Sequence, residues 1–577
     1  MSDACVIRAA GALVEAAPLG QAALNEIVRV GPRQLLGEII RLDQDRATVQ
    51  VFEDTTGLAL ESPVHATGAP LEAELGPGLL GSVLDGIGRP LEALAARDGN
   101  FIGVGTTAPT LPRDRRWEFT PAVRVGDRVR GGDVLGTVPE KAMVHRILVP
   151  PPVQGVVREI ASGEFTVDDP VAVLEDGTPI RLAHRWPVRI PRPIEEWLPP
   201  TRPFVTGQRV FDLLFPVAEG GSVAVPGGFG TGKTVVEQSL ARFAEADVVV
   251  YVGCGERGNE MADVLEEFPR LDDPRSGRPL MDRTILVVNT SNMPVAAREA
   301  SVYLGLTLAE YWRDQGYRVA LMADSLSRWA EALRELGSLL GEMPGEEGYP
   351  TALGNRLGKL CERAGRARPR GKPERIGAVT FISALSPPGG DFSEPVTQAA
   401  LRAVAALWAL DARLAHQRQF PAVDWENSYS LQVDRVVPWF EAEAGADWGE
   451  LRRATLELLQ RDRELREIAG LVGPDALDDG DRLILDAARL VREYLIGQSA
   501  YDPADAHSPP GKTWHLARLI HEFLRAAREQ LARGAPGTAI DTVRMSRALA
   551  AVRGATGGAV ATAAELALTQ LRASAAS

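Results

Sequence analysis

The sequence predicts a multidomain protein: an N-terminal β-barrel, an inserted β module, a central α/β domain built on a phosphate-binding loop, and an α-helical C-terminal domain. Three observations predict this. The chain has 577 residues, too many for one hydrophobic core. Its apolar pattern changes along its length, from two-residue alternation to strands interleaved with helices and then to helical spacing alone. At the start of the interleaved part, a short apolar strand runs into Gly227-Gly228-Phe229-Gly230-Thr231-Gly232-Lys233-Thr234.

In residues 1–70 short alternating runs such as Ile27-Val28-Arg29-Val30 and Ala47-Thr48-Val49-Gln50-Val51-Phe52 are separated by turn residues, the pattern of a small β-barrel. Residues 71–114 read as a connecting segment. Residues 115–190 return to β-like runs broken by Gly turns, as in Val123-Arg124-Val125-Gly126-Asp127-Arg128, and form the inserted module. The Pro-rich stretch Arg189 to Pro203 reads as the linker out of it. Residues 191–434 carry strand candidates at 222–226, Asp247 to Gly253, Thr284 to Asn289, Val319 to Ala323 and Ile376 to Ala384, with helical stretches between several of them, so a largely parallel sheet is expected. Residues 435–577 are rich in Ala, Leu and Arg with almost no strand signal and make the helical domain.

The loop at Gly227 matches G-x-x-x-x-G-K-[ST]. Gly227, Gly228, Phe229, Gly230, Thr231 and Gly232 would let backbone N–H groups converge on phosphates, and the next helix adds the positive end of its dipole. Lys233 is one of only five lysines, with Lys141, Lys359, Lys372 and Lys512, in an arginine-rich chain. A compact ammonium on a thin stem reaches between phosphates where a planar guanidinium does not fit. Thr234 would place a hydroxyl on a magnesium ion. A Gly-rich turn that binds nothing is the competing reading. The flanks argue against it: Ser222-Val223-Ala224-Val225-Pro226 reads as a buried strand, and Val236, Leu240, Phe243 and Ala244 lie at helical spacing in a helix from Thr234 to Ala246.

Composition narrows the function classes. A net charge of −14 disfavours a nucleic-acid groove as the main surface, which needs a basic footprint. The three cysteines, Cys5, Cys254 and Cys361, are too few and scattered for a disulfide framework or a zinc site, and a reducing cytosolic setting fits them. No signal-peptide pattern is present, and no apolar run approaches the roughly 18 residues of a membrane helix, so a membrane role would come through partners.

ATP hydrolysis needs a phosphate cradle, a magnesium ligand, a carboxylate to polarise water and positive charge on the transferring phosphoryl group. Val319-Ala320-Leu321-Met322-Ala323-Asp324 is an apolar strand ending in an acid, and Asp324 is assigned to magnesium. Its rival role is capping the helix that follows. In Val252-Gly253-Cys254-Gly255-Glu256-Arg257-Gly258, Glu256 would orient the water and Arg257 would neutralise charge. A surface Glu–Arg turn is the alternative. Gly253-x-Gly255-x-x-Gly258 also matches a dinucleotide fingerprint, but Glu256 would oppose a pyrophosphate, and Asp272 and Asp273 lie in a polar loop rather than at a strand end.

With these residues in view, the chain resembles the catalytic A subunits of V/A-type rotary ATPases from about residue 5 to about 530. The carrying segments are Pro226 to Val235; Gly253-Cys254-Gly255-Glu256-Arg257-Gly258-Asn259-Glu260; Asn289-Thr290-Ser291-Asn292-Met293-Pro294 through Arg298 to Ser301; Asp324-Ser325 with Ser327-Arg328-Trp329; and Ser386-Pro387-Pro388-Gly389-Gly390-Asp391. The resemblance implies a RecA-type nucleotide-binding domain, a bulge domain at 115–190, ATP/ADP as substrate with Mg2+, and Val235 within the nucleotide loop. It implies that Phe420 and Tyr501 flank the adenine, with core aromatics as the plainer reading. It places Asp475 to Asp479 at a turn facing a central shaft, where a solvated acidic turn is the rival reading. It further implies a hexamer of three A and three B chains, an arginine finger from the non-catalytic B-type subunit, central shaft subunits, peripheral stalk and a membrane ion-translocating sector, with the chain peripheral on the cytoplasmic face of the cell membrane. There are departures: Gly228 stands where Pro or Ala is usual, and Thr231 where eukaryotic relatives have cysteine, so thiol regulation at the loop is not expected.

Three other readings share parts of this pattern. A non-catalytic nucleotide-binding subunit would lack Lys233 or Glu256. A hexameric RecA-type translocase on nucleic acid would need basic or aromatic pore loops. A protein-export ATPase would lack the 115–190 module.

Overall fold

The computed structural model describes residues 4–99, 102–228, 230–473 and 477–576. The chain divides into two compact units. One comprises Met1–Pro199, Gly220–Ala224 and Ala246–Val404; the other comprises Pro200–Glu219, Val225–Glu245 and Ala405–Ser577.

The first unit begins with a six-stranded antiparallel sheet. Its order is Cys5–Ala10, Leu13–Ala17, Arg46–Val51, Leu35–Asp43, Glu26–Val30, Val64–Pro70. Hydrogen bonds from Val6 N to Ser62 O (2.9 Å) and Val64 N to Ala4 O (2.8 Å) join the outer strands and close the barrel. Alternation does the rest: Val14, Val28, Val30, Ile39, Val49 and Val51 point inward and are buried. The inserted module holds two four-stranded sheets, Arg128–Arg130, Gln154–Ile160, Pro170–Leu174, Pro179–Arg181 and Met143–Leu148, Val134–Glu140, Trp117–Pro121, Gly163–Phe165. Phe119, Leu135, Val138, Val171 and Leu174 are buried within it.

The same unit contains a parallel sheet. Val248–Glu256 pairs with Thr284–Thr290 on one side and Arg318–Asp324 on the other, and Arg318–Asp324 pairs with Gly377–Leu385. All five predicted strands form, because each is a β-branched or apolar run buried on both faces. Val83–Asp85 adds a further parallel strand beside Thr284–Thr290, drawn from the stretch read as a connection. The linker reading of Arg189 to Pro203 also needs correction. Ile194–Trp197 is a strand paired with Gly365–Pro369, and Arg189 and Arg192 make ion pairs with Glu38, Glu299 and Asp314 at 2.6–2.7 Å. Proline punctuation signals a boundary but not what the arginines between the prolines hold.

Helix Val295–Asp314 is buried at every residue except Val295 and Tyr303. Besides Glu299 and Asp314, its Glu310 receives Arg363 (2.7 Å), and Tyr311 OH lies 2.7 Å from His145 Nε2, whose Nδ1 is 2.5 Å from Glu140. Charges this deeply buried persist because each is paired.

The second unit is mainly helical. Trp448–Val472, Asp479–Leu490, Pro510–Ala532, Thr542–Gly554 and Ala559–Ala576 are its main helices after the loop helix Lys233–Phe243. That helix ends three residues short of the predicted Ala246; Ala244 is already extended, with φ −63° and ψ 150°. Phe440 stacks on Trp448 with centroids 4.5 Å apart, and Phe211 on Trp408 at 4.1 Å.

Candidate nucleotide site

In the second unit, the end of strand Ser222–Pro226 delivers the chain into the glycine loop. Pro226 O accepts from Leu410 N at 2.8 Å, and Gly227 bridges Leu410, so the loop entrance is fixed by backbone. A Cβ on Gly227 would stand 2.5 Å from Thr231 Oγ1, which itself donates to Gly228 O at 2.9 Å. Gly230 and Gly232 have φ of 76° and 87°, a region that disfavours any side chain. Lys233 Nζ donates to Gly227 O at 2.5 Å, which holds the ammonium inside the loop. Lys233–Phe243 presents the first-turn N–H groups that an anion can take. Thr234 is half-buried at this end and Val235 is exposed. Phe229 lies outside the described residues.

The same unit has a cavity of about 690 Å³ lined by Val235, Phe420 and Tyr501 together with Arg418, Arg466, Arg489, Arg492 and Arg553. Phe420 and Tyr501, both exposed, thus share one cavity wall with the loop helix. The Phe420 ring lies 3.7 Å from where a Cβ on Gly232 would stand. Gln498 N donates to Phe420 O at 2.8 Å and ties the two aromatic segments together. A hollow of this size with two aromatic walls can take a nucleobase and ribose, and its five arginines add positive charge around it.

In the first unit, parallel pairing sets Gly253 opposite Asp324, so two strands end side by side in carboxylates, Glu256 and Asp324. Asp324 is buried and accepts from Tyr251 OH at 3.2 Å. The Glu256 carboxyl is pushed up to about 7; burial is the main cause, then the carboxylates of Asp324 and Glu260, with Ser325 and Arg328 pulling the other way. A carboxylate near neutrality can take a proton from water at cellular pH.

Arginines close around this turn. Gly255 has φ 70°, and a Cβ there would stand 2.8 Å from both the Arg298 and the Arg328 side chain. Arg298 donates to Ser291 O at 3.0 Å, and Arg328 binds both Glu331 oxygens at 2.8 and 3.0 Å. Arg257, chosen from sequence, is mostly exposed and 4.0 Å from Glu260. The sequence reading gave no role to Arg298 and Arg328. Both stood in the segments that carry the resemblance, but only folding sets them against Gly255. Cys254 beside Glu256 is fully buried, and burial pushes its thiol up to about 12, so it is inert packing.

The donors suit magnesium. The half-buried Thr234 hydroxyl in the second unit and the buried Asp324 carboxylate in the first are hard oxygen donors of the kind magnesium takes. Among the described residues there is no group of three or more His, Cys, Asp or Glu that could hold a metal ion. Of the acidic turn Asp475 to Asp479, Asp475 and Ala476 lie outside the described residues, and Asp478 accepts from Asp481 N at 2.7 Å as a helix cap.

Residues 207–430 match the model of the ATP synthase alpha/beta family nucleotide-binding domain, and residues 6–68 its beta-barrel domain. Residues 108–189 match the ATP synthase alpha/beta subunit barrel-sandwich domain, and 437–538 the C-terminal domain of V and A type ATP synthase. The chain is 59% identical over 532 residues to the V-type ATP synthase alpha chain of Anaeromyxobacter dehalogenans strain 2CP-1, covering 92% of each. It is 54% identical over 537 residues to the A subunit of the A-type ATP synthase of Methanopyrus kandleri, covering 92% of this chain and 91% of that one. Among solved structures, the assembled ATPase EscN of the enteropathogenic E. coli type III secretion system shares the fold, with TM-score 0.65 and 22% identity over 90% of this chain and all of that one. The chain belongs to the family of alpha (A) subunits of the V- and A-type ATP synthases.

Proposed function

We propose that the loop Gly227–Thr234 and the strand-end carboxylates Glu256 and Asp324 are the working parts with which this chain acts as the catalytic, ATP-binding subunit of a rotary ATPase. As a V/A-type family member, it hydrolyses or forms ATP in a reaction coupled to ion transport through partner subunits. The single observation that carries the site reading is the parallel pairing that sets Gly253 opposite Asp324, so that two adjacent strands end side by side in the carboxylates Glu256 and Asp324.

Lys233 and the loop N–H groups bind the phosphates. Thr234 and Asp324 are the protein's oxygen ligands for Mg2+, which supplies charge neutralisation on the nucleotide. Glu256 accepts a proton from the attacking water; the oxygen adds to the terminal phosphorus, the bond to the bridging oxygen breaks, and ADP leaves. Arg257, Arg298 and Arg328 oppose the negative charge. Phe420, Tyr501 and Val235 hold the base.

Membership places the chain in a multisubunit complex. The finer assembly is proposed: a hexamer of three A and three B chains, with a B-type arginine completing each site, central shaft, peripheral stalk and a membrane ion-translocating sector. Among the described residues no helix is long and apolar enough to cross a membrane, consistent with a peripheral position, proposed on the cytoplasmic face. ATPase activity of the chain alone and mixed with a B-type partner tests this. Activity should rise sharply on mixing. Strong activity alone that RNA or DNA stimulates would instead establish a translocase.

A further inference from the structure

The chain past residue 538 lies beyond the segment matched by the C-terminal family model, yet it reaches the cavity that Phe420 and Tyr501 share. Helix Thr542–Gly554 carries Arg553 near its end, and Arg553 lines that cavity. Its Nε lies 2.9 Å from Asp505 Oδ2, and its Nη1 donates to Glu493 O at 3.0 Å.

Asp505 is fully buried and acts as a junction. Oδ1 accepts from Arg209 Nη1 at 2.6 Å, and Oδ2 also accepts from Ser499 N at 2.8 Å. Arg209, likewise fully buried, donates to Leu495 O (2.9 Å) and Gly497 O (2.6 Å). Ser499 Oγ in turn accepts from Tyr501 N at 3.3 Å and Asp502 N at 3.2 Å. The turn bearing Tyr501 is therefore shaped from its base by Asp505. Lys512 Nζ bridges Ala504 O (2.7 Å) and Ala555 O (3.0 Å), fastening the far end of the turn to the residue that follows the Arg553 helix.

We propose that Arg553 is a positioning residue for the nucleotide base: through Asp505 it sets the Tyr501 turn, so that the C-terminal helix tunes affinity for ATP. This rests on the reading that Phe420 and Tyr501 hold the base. Arg209 still pairs with Asp505 Oδ1 when Arg553 is changed, so the fold should survive, whereas Oδ2, the oxygen that also takes Ser499 N, loses its charged partner. Arg553 is also partly exposed, which limits the expected effect.

Arg553→Gln, Arg553→Lys and Tyr501→Ala are compared in the full-length chain within its assembled ATPase, with KM for ATP, kcat and the thermal midpoint measured for each. Arg553→Gln should raise KM roughly three- to tenfold with kcat and midpoint retained, and Arg553→Lys should recover most of the affinity because it keeps the charge on Asp505. A raised KM in Tyr501→Ala with none in Arg553→Gln overturns the positioning role and leaves the base reading standing. Unchanged KM in both overturns the base reading and the inference with it. A fall in kcat and midpoint at constant KM, or an Arg553→Lys variant as weak as Arg553→Gln, also contradicts the proposal.

Discussion

The phosphate loop with its base cavity and the paired strand ends, to which we assign binding and water activation respectively, are built with opposite physics. The base cavity is open: Tyr501 is 88% and Phe420 44% exposed, and Gly230 in the loop is exposed as well. The strand ends are closed. Asp324 is buried at 4% exposure, Glu256 is driven up to about 7, and Gly255 is hemmed in by Arg298 and Arg328. Binding uses many small contacts on exposed segments and tolerates adjustment. Water activation uses one group whose proton affinity depends on burial and on a neighbouring charge, and it tolerates none. The two functions should therefore be separable by mutation.

The largest effect is expected from Lys233→Ala, which removes the ammonium from the loop. Turnover should fall by about 10⁴ or more with nucleotide binding weakened as well, read by steady-state ATPase assay and equilibrium dialysis. Near-normal activity would refute the loop assignment. Next come Phe420→Ala and Tyr501→Ala, each raising KM for ATP by roughly tenfold while kcat stays close to normal, since stacking acts on the bound base and not on the reacting phosphorus. A loss confined to kcat would remove both residues from the base cavity.

Glu256 gives a pH test with a definite sign. As the base it works deprotonated, so kcat should rise with pH through about 7. Its raised value also bears on folding. The stability contribution of the neutral form is present below the ordinary value of 4.5 and is lost as pH rises through about 7. Glu256→Gln should therefore melt at a higher temperature than the parent at pH 8 and at nearly the same temperature at pH 5. An equal gap at both pH values would show that Glu256 is not held protonated by its surroundings. The smallest effect belongs to Gly228→Ala. Nothing lies within 4 Å of a Cβ there, so KM and kcat should stay within about twofold. A large loss would mean that the open face of the loop needs a bare backbone.

Much of this was legible in the sequence because the signals are local. The loop spacing, the apolar strand before it and the acid ending Val319 to Asp324 each lie within a few residues, and the five strands formed where β-branched runs predicted them. What escaped was non-local. Val83–Asp85 is three residues long and becomes a strand only by pairing with Thr284–Thr290. Arg298 and Arg328 reach the Glu256 turn from two separate helices, whereas Arg257, adjacent in sequence, is mostly exposed and lies 4.0 Å from Glu260. The linker arginines Arg189 and Arg192 find carboxylates more than a hundred residues away. Spacing cannot report such pairings, because the partners are fixed by the tertiary fold alone.

Single-turnover hydrolysis and equilibrium ATP binding measured together on Glu256→Gln in the assembled complex test the separation of binding from water activation most directly. Binding should stay within about twofold of the parent while hydrolysis falls by about 10² to 10⁴, because only the proton acceptor is lost. Binding and hydrolysis lost in parallel would contradict the account and make Glu256 a structural residue.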